Sequence, residues 1–320
     1  MIPDEAYMQR CLQLAALGLG KVQPNPMVGA VIVHNNSIIG EGFHQQYGQS
    51  HAEVNAIQSV NDKSKLAEST IYVSLEPCSH YGKTPPCADL LIQWKIPRVV
   101  VGTTDPHQKV NGQGISKLKN AGVQVKVGVL EDECRFLNRR FFAYHQKKRP
   151  YIILKWAQSS DGFMDIDRAN GHREYWITNK EMRILSHKWR SEEQAILVGY
   201  NTYCNDHPQL TTREYPGNNP QRYIMVNKGI PYSISKDYNI LPNQLDEVID
   251  TLYHHQIQSV IIEGGRKTLD LFLQADLWDE ARVFIGNQKL GQGGQAPAIP
   301  ALPDKETAIN HNLLRYYYHV

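Results

Sequence analysis

Long apolar runs and an excess of one charge are both missing from this sequence of 320 residues. No stretch approaches the ~20 apolar residues that a membrane-spanning helix needs, so we expect no membrane segment. Lys and Arg number 34 against 32 Asp and Glu, and the formal net charge is only +2. This balance does not supply the concentrated basic surface typical of nucleic-acid-binding proteins, so we expect no nucleic-acid partner.

The cysteines and the amino terminus also exclude common classes of protein. The five cysteines are an odd number without the regular spacing of a disulfide framework. Residues 1–5 have neither the basic nor the apolar region of a secretory signal peptide. Low-complexity segments and convincing repeats are missing as well. We therefore expect reduced thiols and a cytoplasmic protein.

The chain is long enough for two domains, and its hydrophobic content of 41% allows a core in each. In the first half we predict a helix capped by Asp4, further helices over 51–60, 86–94 and 114–120, and strands over 28–33, 38–39, 70–75, 99–102 and 123–127. In the second half we predict strands over 151–156, 195–199, 223–226, 259–263 and 281–285, with helices over 179–190, 244–255 and 267–275. These patterns predict an α/β protein whose first half is an α/β/α sandwich and whose second half has a mainly parallel sheet.

The best candidate for the boundary between the two domains is the polar segment at 146–149, which is followed by Pro150. We accordingly predict a first domain over 1–146, a linker over 147–150 and a second domain over 151–320.

His51, Glu53, Cys78 and Cys87 form the most informative motif, in which H-A-E is followed twice by P-C. One histidine and two cysteines can hold Zn²⁺ and leave its fourth position to water. Glu53 lies two residues from the histidine and would shuttle protons. A metal that makes hydroxide near neutral pH and a carboxylate that moves protons are what the hydrolytic removal of an amine needs. Each candidate ligand is predicted at the start of a helix and near the end of a strand, which suits a single site.

The sequence around these residues resembles the bifunctional deaminase/reductase family of riboflavin biosynthesis. The resemblance is carried by P-N-P-x-V-G over 24–29 and by L-E-P-C-S-H-x-G-x-T-P-P-C over 75–87. It implies a cytidine-deaminase-like domain that acts on a diaminopyrimidinone carrying ribose 5-phosphate. It further implies that Asn25 and His44 hold the pyrimidine and that Lys83 and Asp105 contact the phosphoribosyl group.

Gly264 and Gly265 lie between a predicted strand and a predicted helix. Glycines there let backbone N–H groups approach a phosphate, and the start of a helix favours an anion. The dinucleotide fingerprint G-x-G-x-x-G is missing. The glycines alone are therefore a weak signal for a nucleotide.

The same family resemblance extends through the second half and implies an NADPH-dependent reductase domain similar to dihydrofolate reductase. It is carried by K-x-x-x-S-x-D-G over 155–162, W-I-T over 176–178, V-G-x-x-T-x-x-x-D-x-P-x-L-T-x-R over 198–213 and E-G-G over 263–265. The implied NADPH contacts are Gln158, Trp176, Thr202, Asp206, Lys228, Gly265, Arg266, Lys267, Thr268, Leu269, Asp270 and Leu271. The implied substrate contacts are Arg190, Leu210, Arg213 and Glu263, and a guanidinium fork suits a 5-phosphate.

The second half departs from the family pattern at three places. Glu174 replaces a small hydroxyl residue before the tryptophan, and His207 replaces the second residue of D-D-P. Asn227 and Lys228 replace the usual D-S after the middle strand. A lysine at this position could favour the additional 2′-phosphate of NADPH over NADH.

We predict that the first half deaminates the pyrimidinone with Zn²⁺, and that the second half reduces the ribosyl group to ribityl with hydride from NADPH. Two alternatives stay open. The second half could be a binding domain without reductase activity. The chain could also be a nucleic-acid deaminase, since transfer-RNA adenosine deaminases share H-A-E and P-C. The net charge, the long spacing between Cys78 and Cys87 and the second half argue against that alternative. A homo-oligomer is left open.

Overall fold

The chain divides into two compact units, Met1–Lys148 and Arg149–Val320. We describe them from a computed structural model that covers residues 3–79, 81, 85–107, 111–165, 176–229 and 233–319. The division falls inside the segment 147–150 that the sequence marks as a linker. Within the described ranges, no helix has the length and apolar composition needed to cross a membrane.

The described part of the first unit contains a mixed sheet of five strands in the order β2-β1-β3-β4-β5. The strands are β1 (Gly29–His34), β2 (Ser37–Phe43), β3 (Thr70–Leu75), β4 (Arg98–Thr103) and β5 (Gln124–Val127). The helices are α1 (Asp4–Ala16), α2 (Ala52–Ser59), α3 (Cys87–Gln93), α4 (Gln113–Asn120), α5 (Glu131–Leu137) and α6 (Arg139–Lys147), and a 3₁₀ helix spans Lys63–Glu68. Strands β3, β4 and β5 are parallel, whereas β1 is antiparallel to both β2 and β3.

Helices cover both faces of this sheet. Successive side chains of a strand point to opposite faces, so the apolar residues of one strand pack against helices on both sides. Val99 and Val101 of β4 pack in a buried cluster with residues of α2, α3 and α4. Val100, between them, packs in a second cluster with residues of α1 and α5. The approach of α2 is close, since a Cβ added to Gly42 would lie 2.3 Å from the backbone nitrogen of Ala56. The predicted α/β/α sandwich is therefore confirmed.

The second unit is built on a sheet of eight described strands in the order β10-β9-β8-β11-β6-β12-β15-β14, with a separate pair β13-β7. The strands are β6 (Tyr151–Gln158), β7 (Phe163–Asp165), β8 (Ala195–Gly199), β9 (Gln221–Val226), β10 (Asn239–Pro242), β11 (Ser259–Ile262), β12 (Glu280–Ile285), β13 (Gly294–Gln295), β14 (Lys305–Ile309) and β15 (Asn312–Tyr318). The helices are α7 (Lys180–Glu192), α8 (Tyr200–Asp206), α9 (Leu245–His254) and α10 (Arg266–Gln274). From β10 to β12 the neighbours are parallel, and β15 is antiparallel to β12 and β14.

The second sheet is also covered on both faces. Val283 of β12 packs in the large cluster that includes Leu252 of α9 and Phe272 of α10. The next residue, Phe284, stacks on Trp189 of α7 with ring centroids 5.1 Å apart. A mainly parallel sheet with helices on both sides is the arrangement predicted from the sequence.

Local predictions failed at some ends and edges of the fold. The helix α1 is preceded by Pro3 at the N-cap, and Asp4 lies inside its first turn. The Asp4 carboxylate instead accepts hydrogen bonds from Arg98, Lys126 and the Tyr72 hydroxyl. Several elements were not predicted from the sequence, namely the 3₁₀ helix, α5, α6, α8, β7, β10, β13, β14 and β15.

Candidate active sites

The three predicted metal ligands lie together in the first unit. His51 is the N-cap of α2, and Cys87 is the first residue of α3. Cys78 lies in the loop after β3, and not at a helix start as predicted. The Cys87 backbone N–H donates to the Cys78 sulfur at 3.2 Å. The ligand atoms of all three residues are within 4.8 Å of one another.

These distances fit a tetrahedral zinc site. The Nδ1 atom of His51 lies 3.6 Å from the Cys78 sulfur and 3.3 Å from the Cys87 sulfur. Zn–S bonds of about 2.3 Å and Zn–N bonds of about 2.0–2.1 Å at a tetrahedral angle place sulfur and nitrogen about 3.6 Å apart. Three protein ligands of this kind leave one position for water, which is the pattern of a catalytic zinc site and not of a structural one.

Glu53 lies in the first turn of α2, two residues after the histidine that caps this helix. Its side chain is buried, and burial raises the pKa of its carboxyl group to about 6. A carboxyl group with a pKa near the working pH can both take and return a proton. The position and the burial both suit the predicted proton shuttle.

Asn25 and His44, the predicted pyrimidine contacts, lie beside each other next to the ligand set. His44 Nδ1 donates to the Ser50 carbonyl at 3.0 Å, which leaves Nε2 as an acceptor for the Asn25 amide at 3.1 Å. The His44 ring meets the His51 ring edge to face, with centroids 5.5 Å apart. Burial lowers the pKa of His44 and so favours the neutral ring. The side chain of Asn25 is therefore oriented by a histidine that contacts a metal ligand.

Asp105, a predicted phosphoribosyl contact, is buried in the loop after β4. Its Oδ1 accepts the His107 backbone N–H at 2.7 Å. Burial raises the pKa of Asp105 to about 6, and the neighbouring Glu76 carboxylate contributes to this increase. Lys83 and Glu174 lie outside the described residues.

Glu76 organises this region, although no role was predicted for it from the sequence. Its carboxylate accepts four backbone N–H groups, at 3.3, 2.9, 2.9 and 3.3 Å, from Asp105, Gly112, Gly114 and Ile115. It thereby joins the loop after β3, the loop after β4 and the first turn of α4. In the sequence, the only indication of such a role was the position of Glu76 between a buried strand and Cys78.

Asn138, between α5 and α6, is a second polar residue that the sequence analysis missed. Its buried amide makes hydrogen bonds with the backbone of Met27 in both directions. Met27 lies in the P-N-P-x-V-G segment, two residues after Asn25. Polar residues that bind distant backbone leave no periodic pattern, so no sequence signal pointed to this pair.

In the second unit, the predicted substrate contacts Arg190 and Glu263 form a bidentate ion pair. Arg190 Nε and Nη2 lie 3.1 and 2.7 Å from the Glu263 carboxylate oxygens. Lys155 Nζ lies 4.0 Å from the same carboxylate. Burial alone would raise the pKa of Glu263, but Arg190 and Lys155 outweigh it and hold that pKa at about 2. Because Glu263 occupies the Arg190 fork, Arg190 is not a free guanidinium for a phosphate.

Leu210 and Arg213 lie in the loop that follows α8. Leu210 is buried and has a φ of 54°, a conformation that costs energy for a residue with a β-carbon. Arg213 is exposed, and its Nη1 is 3.5 Å from the Thr211 hydroxyl. The carbonyl of Thr211 accepts a bond from Arg190 at 3.2 Å, which links this loop to the Arg190–Glu263 pair.

The Gly264–Gly265 turn lies between β11 and α10, at the carboxyl end of the parallel strands, where α/β sheets bind ligands. Gly264 has a φ of 96°, which side chains rarely adopt. The Thr202 hydroxyl accepts the Gly265 N–H at 2.7 Å, so Thr202 holds the turn. The next backbone N–H groups, from Arg266 and Lys267, have no helical acceptor because they begin α10.

The other predicted cofactor residues lie on separate elements of the second unit. Gln158 ends β6, and Asp206 ends α8. Trp176 is 54% exposed, so its ring is not part of the core. Lys228 is exposed and donates to Glu247 at 2.9 Å and to Gln244 at 2.6 Å.

Some side chains at the start and middle of α10 are buried in the core, and others form an ion pair. Leu269 is fully buried, and Thr268 is almost so. Asp270 pairs with Arg266 at 3.0 Å, and Leu271 packs against the large core cluster. Any cofactor contact of Leu269 therefore comes from its backbone, because its side chain lies in the core.

Comparisons with known proteins cover both units. The cytidine and deoxycytidylate deaminase zinc-binding region matches residues 1–103, and the RibD C-terminal domain matches residues 150–314. The riboflavin biosynthesis protein RibD of Aquifex aeolicus is 39% identical, over 91% of this chain and 88% of its own. RibD of Escherichia coli is 34% identical, over 95% of this chain and 92% of its own.

Two solved structures are similar over nearly the full length. One is a diaminohydroxyphosphoribosylaminopyrimidine deaminase/5-amino-6-(5-phosphoribosylamino)uracil reductase from Thermotoga maritima. It is 35% identical with a TM-score of 0.85, over 98% of this chain and 97% of its own. The other is Acinetobacter baumannii RibD, which is 31% identical with a TM-score of 0.88, over 98% of both chains.

The fold and the ligand set define a zinc-binding deaminase domain joined to a reductase domain of the dihydrofolate reductase type. This combination is the one predicted from the sequence, and Zn²⁺ and NADPH are its cofactors. The chain belongs to the RibD family of riboflavin biosynthesis proteins.

Proposed function

We propose that the first unit hydrolyses an amine from a diaminopyrimidinone that carries ribose 5-phosphate, and that the second unit reduces the ribosyl group of the product to ribityl with NADPH. The observation that carries this proposal is the cluster of His51, Cys78 and Cys87 beside buried Glu53, in a chain similar over its length to a deaminase/reductase of this specificity. The carboxyl-terminal match favours a reductase over a binding domain without activity.

In the deamination, His51, Cys78 and Cys87 would hold the zinc ion, which would supply activated water near neutral pH. Glu53 takes the proton of the attacking water and delivers it to the leaving nitrogen. A carbon–oxygen bond forms, the carbon–nitrogen bond breaks, and ammonia departs. The burial of Glu53 supports this role, since a carboxyl group with a raised pKa is a competent acid as well as a base.

The substrate is held in the first unit by polar side chains near the ligand set. The Asn25 side chain, oriented by neutral His44, hydrogen-bonds the pyrimidine edge. Asp105 and Lys83 contact the phosphoribosyl group. Two observations support this role for Asp105. It lies beside Glu76, and its loop follows β4, which is the strand next to β3 in the sheet.

In the second unit, bound NADPH would supply hydride to the ribosyl carbon that becomes the first carbon of the ribityl chain. That carbon's bond to the ring oxygen breaks, and the oxygen takes up a proton. The Gly264–Gly265 turn and the start of α10 hold a cofactor phosphate. Arg213 is the exposed guanidinium available for the substrate phosphate, whereas Arg190 positions Glu263. Gln158, Trp176, Thr202, Asp206 and Lys228 complete the cofactor contacts.

The test uses the purified, zinc-loaded full chain. With the diaminopyrimidinone substrate and no NADPH, we expect stoichiometric ammonia release. With authentic deaminated compound, we expect NADPH oxidation that does not require zinc. Ammonia release without any NADPH oxidation would leave a deaminase with a binding domain, and tight, salt-sensitive RNA binding would favour a nucleic-acid deaminase.

The partner in both steps is then a small phosphorylated pyrimidine, with no role for nucleic acid. The five cysteines are all free in the structure. Free thiols support the proposal that the enzyme works in the reducing cytoplasm.

A further inference from the structure

The segment 286–291, which directly follows β12, contacts two loops that carry proposed cofactor residues. The Gly286 N–H donates to the carbonyl of Gln158 at 2.8 Å. A Cβ added to Gly286 would lie 2.0 Å from the carbonyl oxygen of Ile177. A side chain at position 286 would therefore displace the backbone beside Trp176.

Gln288 connects the same two loops through its backbone and its side chain. Its carbonyl accepts the Ser160 N–H at 2.9 Å and the Ser160 hydroxyl at 3.0 Å. Its side-chain Nε2 donates to the carbonyls of Trp176 and Ile177 at 3.0 and 3.2 Å. Four hydrogen bonds thus join Gln288 to residues that are 111 to 128 positions away in the chain.

Asp161 reinforces this connection from the opposite direction. Its carboxylate accepts the backbone N–H groups of Leu290 at 3.1 Å and Gly291 at 2.8 Å. It also accepts the Ser159 hydroxyl at 2.6 Å, which fixes the carboxylate within its own turn. The loop after β6 and the segment 286–291 are therefore joined by hydrogen bonds, and each of the two donates to the other.

Trp176 is positioned from two sides while its ring stays open to solvent. Gln288 holds its carbonyl, and the Arg183 guanidinium lies over its ring at 5.0 Å from the centroid. Half of the residue is nevertheless exposed. An exposed aromatic ring with a fixed backbone is suited to pack against a planar ligand.

We propose that Gln288 is a positioning residue of the reductase site, which sets the place of Trp176 relative to Gln158 and so prepares the surface that receives NADPH. The inference rests on the proposed function, since it takes Trp176 and Gln158 as cofactor contacts. Gln288 acts through the two carbonyls that it binds and does not itself touch the cofactor.

The test compares Gln288→Glu and Gln288→Met in the zinc-loaded full chain. Both keep the backbone carbonyl that Ser160 uses, and both remove the Nε2 donor. Glutamate also places a carboxylate against two carbonyl oxygens, so its effect is the larger. We expect the Kd for NADPH, measured by calorimetry, to rise roughly tenfold in Gln288→Met and more in Gln288→Glu, which corresponds to about the net contribution of one hydrogen bond. KM for NADPH rises in parallel, with a smaller change in kcat.

Gln256→Glu is the matched control, because it makes the same change in charge. It lies in the exposed turn before β11, at the opposite end of the parallel strands from the proposed site. We expect wild-type NADPH affinity from it. The deamination rate reports whether each variant has a folded first unit, and the thermal unfolding of the second unit reports its stability.

The outcomes separate this inference from the proposed function. Raised Kd and KM for NADPH in both variants, with normal unfolding temperatures, support positioning by Gln288. Wild-type Kd for NADPH in both variants overturns it, even where kcat or the unfolding temperature falls, because a purely structural role then accounts for the loss. If the wild-type chain fails to oxidise NADPH with the deaminated compound, the proposed function itself is wrong.

Discussion

The side-chain amide of Asn138 makes two hydrogen bonds with the backbone of Met27, which is 111 residues earlier in the chain. The Met27 N–H donates to Asn138 Oδ1 at 2.8 Å, and Asn138 Nδ2 donates to the Met27 carbonyl at 2.8 Å. The start of α6 therefore fixes the backbone two residues from Asn25. The segment that we propose to bind the pyrimidine is therefore held by a residue outside the region that carries the deaminase motif.

Replacing Asn138 should weaken substrate binding in the deaminase while leaving zinc in place. Asn138→Ala removes both bonds and exposes no metal ligand, so we expect full zinc occupancy, a raised KM for deamination and a loss of about 2–4 kcal/mol in the free energy of unfolding. Steady-state kinetics, elemental analysis and urea unfolding measure the three quantities. Asn120→Ala, at the exposed end of α4, is the control. An unchanged KM would show that this pair serves stability only.

Replacing Glu53 should remove deamination but not zinc, whereas replacing Cys87 should remove both. Glu53→Gln keeps the three ligands, so we expect normal zinc content and a deamination rate lower by ~10²–10⁴-fold. Cys87→Ser removes a thiolate ligand, so we expect loss of zinc together with activity. Glu68→Gln, exposed on the same unit, controls for the change in charge. Near-normal deamination by zinc-loaded Glu53→Gln would contradict the proton shuttle, and full zinc in Cys87→Ser would remove that residue from the site.

The Arg190–Glu263 pair should make the second unit sensitive to acid. The pKa of Glu263 is held at about 2 in the folded chain, against an ordinary value of 4.5. A carboxyl group with a depressed folded pKa stabilises the fold above its unfolded pKa, and this stability is lost as pH falls through the interval down to the folded pKa. We therefore expect a contribution of about 3 kcal/mol at pH 6 that declines between pH 5 and pH 2.

Urea unfolding followed by tryptophan fluorescence across this range measures the effect. In Glu263→Gln, which carries no titratable group at this position, the decline with acid should be smaller than in the wild type. Glu306→Gln removes a carboxylate from an exposed pair with Arg315 and should leave most of the decline in place. Equal acid dependence in the wild type and Glu263→Gln would mean that the pair makes no net contribution.

Cofactor preference tests the prediction made for Lys228. We expect NADPH to be preferred over NADH, and Lys228→Ala to lower the ratio of kcat/KM for the two cofactors. A desolvated charge pair of this kind is worth ~2–5 kcal/mol and a contact at the rim far less, and the exposure of Lys228 favours the lower range. Glu247→Gln removes the carboxylate that pairs with Lys228 and should increase the preference for NADPH. A ratio that is unchanged in Lys228→Ala would assign this lysine to the surface.

The sequence carried enough information for the metal site and for the central sheets. His51, Cys78 and Cys87 were recognisable because zinc restricts the type of ligand. The buried strands were recognisable because they are mostly apolar runs. The hairpin β14–β15 was missed because its two-residue turn, Asn310-His311, has positive φ at both positions without the glycine that usually marks such a turn.

Long-range polar contacts were the least predictable part of the site. Glu76, Asn138 and Gln288 each bind backbone groups from distant parts of the chain, and only the folded structure brings those groups within reach. The role of Asp4 was mistaken for the same reason. A capping position can be read locally, whereas its partners Arg98 and Lys126 come from neighbouring strands of the sheet.

The Glu76 carboxylate limits which backbone N–H groups of the first unit the phosphate of the proposed substrate can use. Its two oxygens take up N–H groups around the beginning of α4, where a free phosphate would otherwise find ready-made donors. The protein has placed its own anion there. The backbone N–H groups of Gly112, Gly114 and Ile115 already bind Glu76, so the phosphate of the proposed substrate cannot use them.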